Sequence, residues 1–301
     1  MSAGINNPRR DSLRLLAALP LLAAGAASTQ PVKTVRSDAP RVALVLGSGS
    51  ARGFAHIGVI KALEAAKIRP DLIVGTSAGA LVGAFYAAGF TGAQMEELAI
   101  RVKDIDIVDM STGSKRGMVM GDTLQTFVNR ATRDRSIEQL GIPFIAVATQ
   151  LKTGEIATFR RGDLGMAVRA SCSVPGVFIP PKINDTEYVD GGLVSPVPIH
   201  VAREAGADIV IAVDVSSGPL NASPVGIYEQ VMHSFDIMGR SLAKMEAAQA
   251  DIVIRPDVSR IPGTDFSARA AFIQIGQAAG TRYLPVVQEK IAQWRSARKR
   301  A

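Results

Sequence analysis

The chain has 301 residues, 47 % of them hydrophobic and 20 % charged, a composition that permits a sizeable core and excludes a disordered protein. Its net charge of +7 is dispersed and is not interleaved with aromatic side chains, which argues against a nucleic-acid partner. Cys172 is the single cysteine, which excludes an internal disulfide, and because no ligand spacing is visible we predict neither metal nor cofactor.

Residues 1–26 have the pattern of an export signal. Arg9 and Arg10 precede an apolar run, and Ala24-Gly25-Ala26 provides the small residues of a signal-peptidase site. The arginine pair resembles a twin-arginine signal, with an ordinary secretory signal or an uncleaved anchor as alternatives. We expect an exported, periplasmic protein in which residues 27–40 form a polar linker.

The folded part begins with two strand–helix units. Val42–Leu46 and Leu72–Val74 are apolar runs typical of strands buried on both faces, and helical patterns follow at Phe54–Ala66 and Ala78–Ala88. This order implies parallel strands joined by right-handed crossovers. Further strands are predicted at 144–148, 209–213 and 252–254, and further helices at 91–102, 122–130, 163–170, 198–205, 227–248 and 268–294. We predict an α/β fold with three layers, α/β/α, and a mainly parallel central sheet. It forms one domain over residues 41–294, with a basic tail at 295–301.

The sequence Gly75-Thr76-Ser77-Ala78-Gly79 lies between the second strand and its helix. A sharp turn in this position projects a serine hydroxyl from the helix N-terminus, where the helix dipole favours developing negative charge. Small neighbours allow strand and helix to approach closely. A glycine-rich turn with a capping hydroxyl is the structural alternative, but the pattern makes Ser77 a candidate nucleophile.

A second glycine-rich segment, Gly47-Ser48-Gly49-Ser50-Ala51-Arg52-Gly53, joins the first strand to the first helix. Consecutive backbone N–H groups at a helix N-terminus bind phosphate or stabilise an oxyanion. The segment lacks the Gly-Lys-Ser/Thr ending of a phosphate-binding P-loop, and its third glycine is one position late for a dinucleotide site. An oxyanion hole fits best, because a candidate nucleophile arrives on the adjacent strand. Arg52 either organises this loop or meets an anionic head group.

Asp190 is the candidate base for Ser77. It stands at the end of a short predicted strand and is followed by Gly191-Gly192, which leave the carboxylate room to reach another strand end. A plain Asp-Gly turn is the alternative. His56, His200 and His233 lie in helical patterns typical of structural or surface histidines.

Together these three segments resemble the patatin-like phospholipase family, closest to its small bacterial members. The resemblance extends from about residue 42 to 213 and includes the similar segments 148–154 and 170–178. Ser48, Gln150 and Ser195 depart from the residues common in the family. These departures concern the surroundings of the site and the substrate preference, and leave the reaction class unaffected.

The resemblance implies that Ser77 and Asp190 form a catalytic dyad that needs no histidine. The oxyanion hole would come from Gly47, Ser48, Gly49, Ser50, Arg52 and Gly53, with the Ser48 and Gly49 amides as donors. The reaction implied is hydrolysis of phospholipid or lysophospholipid esters, with peripheral membrane contact as an accompanying expectation. Two other functions remain open: an α/β-hydrolase esterase with a Ser-Asp-His triad that uses His200 or His233, and a non-catalytic lipid- or partner-binding scaffold.

Three further features carry predictions of their own. Met232, Phe235, Met238, Leu242 and Met245 form an apolar stripe that either packs in the core or lines an acyl-chain groove. Residues 104–121 lack periodicity and are either a flap beside the site or a surface loop. Cys172 is predicted to be a small buried hydrophobe, since no histidine stands near it to activate a thiolate.

Overall fold

One mixed sheet organises the part of the chain that the computed structural model describes, residues 39–103, 107–216 and 226–300. Its strand order is β10-β9-β1-β2-β4-β8-β7, and β5 also pairs with β4, while β3 and β6 form a separate pair. The strands are β1 (Val42–Leu46), β2 (Leu72–Thr76), β3 (Gly117–Val119), β4 (Phe144–Gln150), β5 (Ile156–Phe159), β6 (Gly176–Phe178), β7 (Lys182–Ile183), β8 (Thr186–Asp190), β9 (Ile209–Val213) and β10 (Ile252–Ile254). The pairs linking β10, β9, β1, β2 and β4 are parallel, so the predicted mainly parallel sheet is confirmed.

Helices cover both faces of the sheet. They are α1 (Phe54–Ala65), α2 (Ala78–Ala87), α3 (Gly92–Arg101), α4 (Asp122–Ala131), α5 (Leu164–Ser171), α6 (Ile199–Glu204), α7 (Ile227–Ala247) and α8 (Arg269–Arg298). Successive side chains of β1 belong to hydrophobic cores on opposite faces of the sheet. Leu44 packs with α1, α2 and α8, whereas Val45 packs with α6 and α7. Two apolar cores on opposite faces give the predicted three layers.

The folded unit begins near the predicted start of the domain and includes the C-terminal residues. Residues 38–301 form one compact unit by their internal contacts. The predicted export signal and most of the predicted linker lie outside the described residues. At the C-terminal end, α8 continues to Arg298, so most of the predicted basic tail is the last turn of this helix. Positive charges there interact favourably with the negative end of the helix dipole.

Helices α1 and α8 approach each other through glycine. A Cβ atom added to Gly276 would overlap the Ala55 carbonyl, and one added to Gly58 would overlap the Ile273 carbonyl. Both overlaps involve backbone, which cannot move aside as a side chain can. The α1–α8 contact therefore depends on the absence of a side chain at these two positions.

Replacing Gly276 with Ala is expected to lower the free energy of unfolding by about 3 kcal/mol, because the added methyl group must separate two packed helices. Gly239→Ala is the matched control. It lies within α7, where an added Cβ would contact nothing within 4 Å, and the better helix propensity of Ala should stabilise by up to about 1 kcal/mol. Urea unfolding of both variants measures the difference, and equal stabilities would contradict the close packing described.

Candidate active site

Ser77 occupies a strained turn between β2 and α2. Its φ of 54° and ψ of −123° lie outside the regions that non-glycine residues prefer. The neighbouring positions must be glycine because no room is left for a side chain. A Cβ on Gly75 would lie 2.5 Å from the Gly79 carbonyl oxygen, and one on Gly79 would overlap the Leu46 carbonyl. Strain of this kind at a strand-to-helix turn is typical of a nucleophilic serine that its surroundings hold in place.

The register of the sheet brings Asp190 to Ser77. Ala146 and Val147 of β4 pair with β2 on one edge and with β5 on the other. Ala148 pairs with both β5 and β8, so β8 must lie on the same edge of β4 as β2. The last residue of β2 is opposite Val147 and the last residue of β8 is opposite Ala148. The two strands therefore meet end to end, and the residues at their ends become neighbours.

The two side chains are hydrogen-bonded directly. Ser77 Oγ donates to Asp190 Oδ2 over 2.5 Å, and only 6 % and 4 % of the two residues is exposed. The Gly192 N–H donates to the other carboxyl oxygen at 2.7 Å, and the Thr149 hydroxyl fixes the Asp190 carbonyl. Burial raises the pKa of Asp190 to about 6, although the bonds from Ser77 and Gly192 oppose the shift. Asp190 is therefore ionised at neutral pH, yet is more basic than an exposed carboxylate.

Residues that sequence reasoning missed hold the turn in place. The Ser77 N–H donates to Ser171 Oγ at 2.8 Å, and Ser171 in turn donates to the Val147 carbonyl. The Asp190 N–H donates to the Ser173 carbonyl at 2.9 Å. Both serines lie in the family-like segment 170–178, which was the available signal. The end of α5 thus supports both members of the pair.

The segment after Asp190 links the site to α7. The Ser195 carbonyl accepts a bond from the Thr76 hydroxyl at 2.9 Å. Glu246 of α7 accepts from Ser195 Oγ and from the Val197 N–H. Ser195, which departs from the family pattern, is thus fully buried, and its carboxylate partner comes from a helix that is distant along the chain.

The glycine-rich loop lies beside the pair, but not all its amides are available. A Cβ on Gly192 would lie 2.7 Å from Ser48 Oγ, which places the loop against the segment that carries Asp190. The Gly47 N–H donates to the Val213 carbonyl at 3.0 Å and the Ser48 N–H donates to the Pro196 carbonyl at 2.8 Å. The prediction that Ser48 supplies an oxyanion donor is therefore wrong in this conformation, because its N–H already fixes the loop to its neighbour.

Other amides of the same loop have no such partner. Within the described part of the chain, no hydrogen bond engages the N–H groups of Gly49 and Ser50. Ser50 has a positive φ of 52°, and Gly49 cannot carry a side chain because a Cβ there would overlap Val215. These two amides remain the candidate oxyanion donors of the loop.

Arg52 organises the loop, the first of its two predicted roles. It is 7 % exposed, its N–H and Nε both approach the Gly49 carbonyl, and its Nη2 lies 3.2 Å from Asp236 Oδ1 on α7. Gly53 follows it and packs against Ala78 so closely that a Cβ would overlap that side chain. The guanidinium is therefore occupied by the protein itself.

His56 and His200 have partners other than Ser77. His56 is fully buried and its Nε2 lies 2.8 Å from the Gly47 carbonyl oxygen. His200 Nδ1 lies 3.6 Å from Glu246 Oε1, which raises the pKa of His200. Among the described contacts, none joins a histidine to Ser77. Cys172 is half-buried beside the pair, and desolvation and the charge of Asp190 raise the pKa of its thiol well above the usual value, which disfavours a thiolate.

An open apolar groove of about 560 Å³ lies between α7 and the segment after Ser173. It is lined by Pro175, Gly176, Ile227, Val231, Met232 and Phe235. Met232 and Phe235 come from the predicted stripe, whereas Met238 and Met245 are 52 % and 66 % exposed. Core packing is therefore the wrong interpretation for those two methionines, because α7 turns other residues, such as Ala243, towards the sheet.

The segment predicted as a flap or surface loop is described from residue 107 onwards. Met110 bridges to Val119, and the Asp109 carboxylate accepts the N–H groups of Gly121 and Thr123 at its base. Arg116 forms two bonds, of 2.6 and 2.9 Å, with Glu187 of β8. The segment is thus attached to the strand that carries Asp190.

The described residues contain no group of three or more histidine, cysteine, aspartate or glutamate side chains able to hold a metal ion. Over the same ranges, no helix combines the length and the apolar character that crossing a membrane requires.

Comparison with known proteins places this site in a family. The pattern of the patatin-like phospholipases matches residues 44–203, which include the glycine-rich loop, Ser77 and Asp190. The chain belongs to the patatin-like phospholipase family. The resemblance noted from the sequence, over residues 42 to 213, is thereby confirmed at the family level.

Relatives of this family occur in bacteria and mammals. An NTE family protein of Mycobacterium tuberculosis is 39 % identical over 196 residues, 63 % of this chain and 52 % of the relative. Patatin-like phospholipase domain-containing protein 6 of Mus musculus is 36 % identical over 185 residues, 58 % of this chain and 14 % of that protein. The chain thus spans about half the length of the mycobacterial relative. The crystal structure of ExoU from Pseudomonas aeruginosa in complex with SpcU aligns with a TM-score of 0.46 at 16 % identity, covering 83 % of this chain and 53 % of that chain.

Proposed function

We propose that this protein is a serine lipid acyl hydrolase in which Ser77 is the nucleophile and Asp190 the general base. The observation that carries the proposal is the 2.5 Å bond between Ser77 Oγ and Asp190 Oδ2. A base must lie within hydrogen-bond reach of the proton that it removes, and the pair meets this condition without any intervening histidine. Membership of the patatin-like phospholipase family supports the same reaction class.

The reaction would proceed through an acyl-enzyme. Asp190 takes the hydroxyl proton as Ser77 Oγ attacks an ester carbonyl, and the alcohol leaves after receiving that proton. Water then attacks the acyl group, with Asp190 again accepting a proton, and Ser77 is regenerated. A pKa of about 6 makes Asp190 a stronger base than an ordinary carboxylate, while it stays ionised at pH 7.

Stabilisation of the oxyanion would come from main-chain amides. A carboxylate remains a weak base towards a hydroxyl, so the barrier depends strongly on donors aimed at the developing charge. The unengaged N–H groups of Gly49 and Ser50 are available for this role, and Ser77 stands at the N-terminus of α2, whose dipole favours the same charge. One such donor contributes roughly 3 kcal/mol in related chemistry.

The apolar groove supports a lipid acyl chain as the substrate group. Its lining includes Pro175 and Gly176, which follow closely on Ser173, the residue bonded to the Asp190 backbone. Phospholipid or lysophospholipid esters are therefore the proposed substrates. Met118 and Ile227 stand exposed near this groove, since β3 pairs with β6 at Gly176, and they support a peripheral contact with the lipid surface.

The pattern of residues 1–26 supports one further proposal, export to the periplasm. Fractionation of cells that produce the full chain, with and without Arg9 and Arg10 replaced by Lys, tests it. Periplasmic protein that is lost in the double variant would support the twin-arginine route.

The proposed function is tested by hydrolysis of 4-nitrophenyl esters of increasing chain length, lysophospholipid and phospholipid vesicles. Each added methylene that enters the groove should contribute up to about 0.8 kcal/mol, so kcat/KM should rise severalfold per methylene until the groove is filled. Ser77→Ala is the control for background hydrolysis. A wild-type protein inactive on every ester would favour the non-catalytic scaffold, and activity that survives in Ser77→Ala would exclude Ser77 as nucleophile.

A triad is the competing mechanism, and it predicts a different result for two variants. With Asp190 as the base, His200→Ala and His233→Ala should each retain kcat within about threefold of the wild type. Loss of kcat by two orders of magnitude or more in either variant, with the melting temperature retained, would favour the triad. Steady-state hydrolysis of one short-chain ester is sufficient for this comparison.

A further inference from the structure

The peptide unit between Gly47 and Ser48 is held from both sides. Its carbonyl oxygen lies 2.8 Å from His56 Nε2, and its N–H donates to the Pro196 carbonyl at 2.8 Å. In a planar trans peptide the C=O and N–H point in opposite directions, so these two bonds together fix the orientation of the peptide plane. The next two residues along the chain are Gly49 and Ser50, whose amides are the candidate oxyanion donors.

His56 is suited to hold this carbonyl and unsuited to proton transfer. It is fully buried in α1, and burial lowers its pKa to about 4 against the opposing effects of the Gly47 bond and the charge of Asp214. The ring is therefore neutral at pH 7, with its proton on Nε2, because only that tautomer can donate to a carbonyl. Within the part of the chain that the structure describes, the buried Nδ1 has no hydrogen-bond partner.

The carbonyl that His56 holds also touches the nucleophile's helix. A Cβ added to Gly79 would lie 2.7 Å from the Gly47 carbonyl oxygen. The carbonyl thus lies between the His56 ring and the first turn of α2, whose N-cap is Ser77. Without the imidazole donor, a buried carbonyl would lose its partner at the junction of the loop and the nucleophile turn, a loss that drives local rearrangement.

We propose that His56 is a positioning residue for the oxyanion hole: its Nε2–H fixes the Gly47 carbonyl and thereby the direction of the Gly49 and Ser50 amides. This inference rests on the proposed function, because it assigns His56 to the same reaction. His56 acts through the loop and contacts neither the nucleophile nor the base among the described contacts. Its effect therefore belongs to the transition state, when charge develops on the substrate oxygen, and not to substrate binding.

Three substitutions test the role of the donor. The side-chain amide nitrogen of Gln can take the place of Nε2, the shorter amide of Asn stops short of it, and Leu has no donor. His56→Gln should therefore keep kcat within about threefold of the wild type. His56→Leu and His56→Asn should lower kcat about 10- to 100-fold with KM nearly unchanged, since misplaced oxyanion donors affect the transition state. The rate of Ser77 labelling by a fluorophosphonate should fall in parallel, and the pH profile should not shift.

Thr132→Val is the matched control for stability. The Thr132 hydroxyl is fully buried and donates to the Val128 carbonyl at 2.8 Å in α4, so this variant also loses a buried side-chain bond to a carbonyl. It should change the melting temperature without changing kcat. If the His56 variants lose activity only in proportion to the fraction of unfolded protein, so that the kcat of the folded fraction is unchanged as expected for Thr132→Val, the proposal is overturned.

The remaining outcomes are equally decisive. A His56→Leu protein that folds and retains wild-type kcat overturns the proposal, as does an effect on KM alone. Should the Leu variant fail to fold, the comparison of Gln with Asn decides, and equal kcat values for these two overturn it. A wild-type protein without any esterase activity would instead refute the proposed function, which keeps the two failures distinguishable.

Discussion

Replacing Asp190 with Asn is expected to abolish ester hydrolysis while it makes the protein more stable at pH 8. The Asn side chain can still accept the Gly192 N–H and bond to Ser77 Oγ, so the fold should persist. It cannot accept the nucleophile's proton, and the loss of a catalytic base that acts as a unit with its nucleophile costs about 10⁴-fold in kcat. Ser77→Ala should cause a comparable loss.

The stability change follows from the raised pKa. Asp190 titrates near pH 6 in the folded protein and near its ordinary value of 3.8 in the unfolded chain. The folded state therefore holds the proton more tightly, and stability is lost as the pH rises from about 4 through about 6. A shift of this size corresponds to about 3 kcal/mol, a loss that the Asp190→Asn variant would not suffer. Thermal unfolding of wild type and Asp190→Asn at pH 4 and pH 8 measures it, and a variant less stable than wild type at pH 8 would contradict a costly buried carboxylate.

The pH dependence of the wild-type enzyme is the second large effect. Activity requires ionised Asp190, so kcat/KM should fall about tenfold for each pH unit below a midpoint near 6 and remain level from pH 7 to 8.5. A triad based on His200 would place the midpoint above 6.5, because Glu246 raises the pKa of that histidine. The profile therefore distinguishes the two mechanisms without any substitution.

Measured with a short-chain soluble ester, the profile is free of effects from vesicle charge. His200→Ala is the matched control, since its profile should coincide with that of the wild type if Asp190 is the base. A midpoint above 6.5 that disappears in His200→Ala would contradict the dyad.

Much of the fold could be predicted because the central strands carry their own signal. The strands β1, β9 and β10 have the predicted bounds, since continuous apolar runs are required where both sheet faces are covered. The short strands β5 and β7 were not predicted. Their residues are half-exposed and partly polar, so their strand geometry depends on pairing with β4 and β8, which a local pattern does not contain. The Asn184-Asp185 pair is a local signal for a hairpin, since both residue types tolerate the positive φ that they adopt in the two-residue turn between β7 and β8.

Of the candidate site, the positions of the nucleophile and the base could be predicted, whereas the free oxyanion donors could not. Ser77 and Asp190 stand in local patterns of small residues at strand ends, and their meeting follows from a sheet register that the sequence only suggests. The availability of the loop amides could not be predicted. The partners of the Gly47 and Ser48 N–H groups are the carbonyls of Val213 and Pro196, which lie 166 and 148 residues away along the chain. Such non-local bonds decide which donors remain for an oxyanion.

The most direct test of the Ser77–Asp190 pair is the rate of covalent labelling by a small fluorophosphonate, followed by mass spectrometry of the modified peptide, between pH 5 and 8.5. We predict a single adduct on Ser77, a labelling rate that rises with pH to a plateau with a midpoint near 6, and no measurable labelling of Asp190→Asn. An adduct on another residue, or undiminished labelling of Asp190→Asn, would contradict the account.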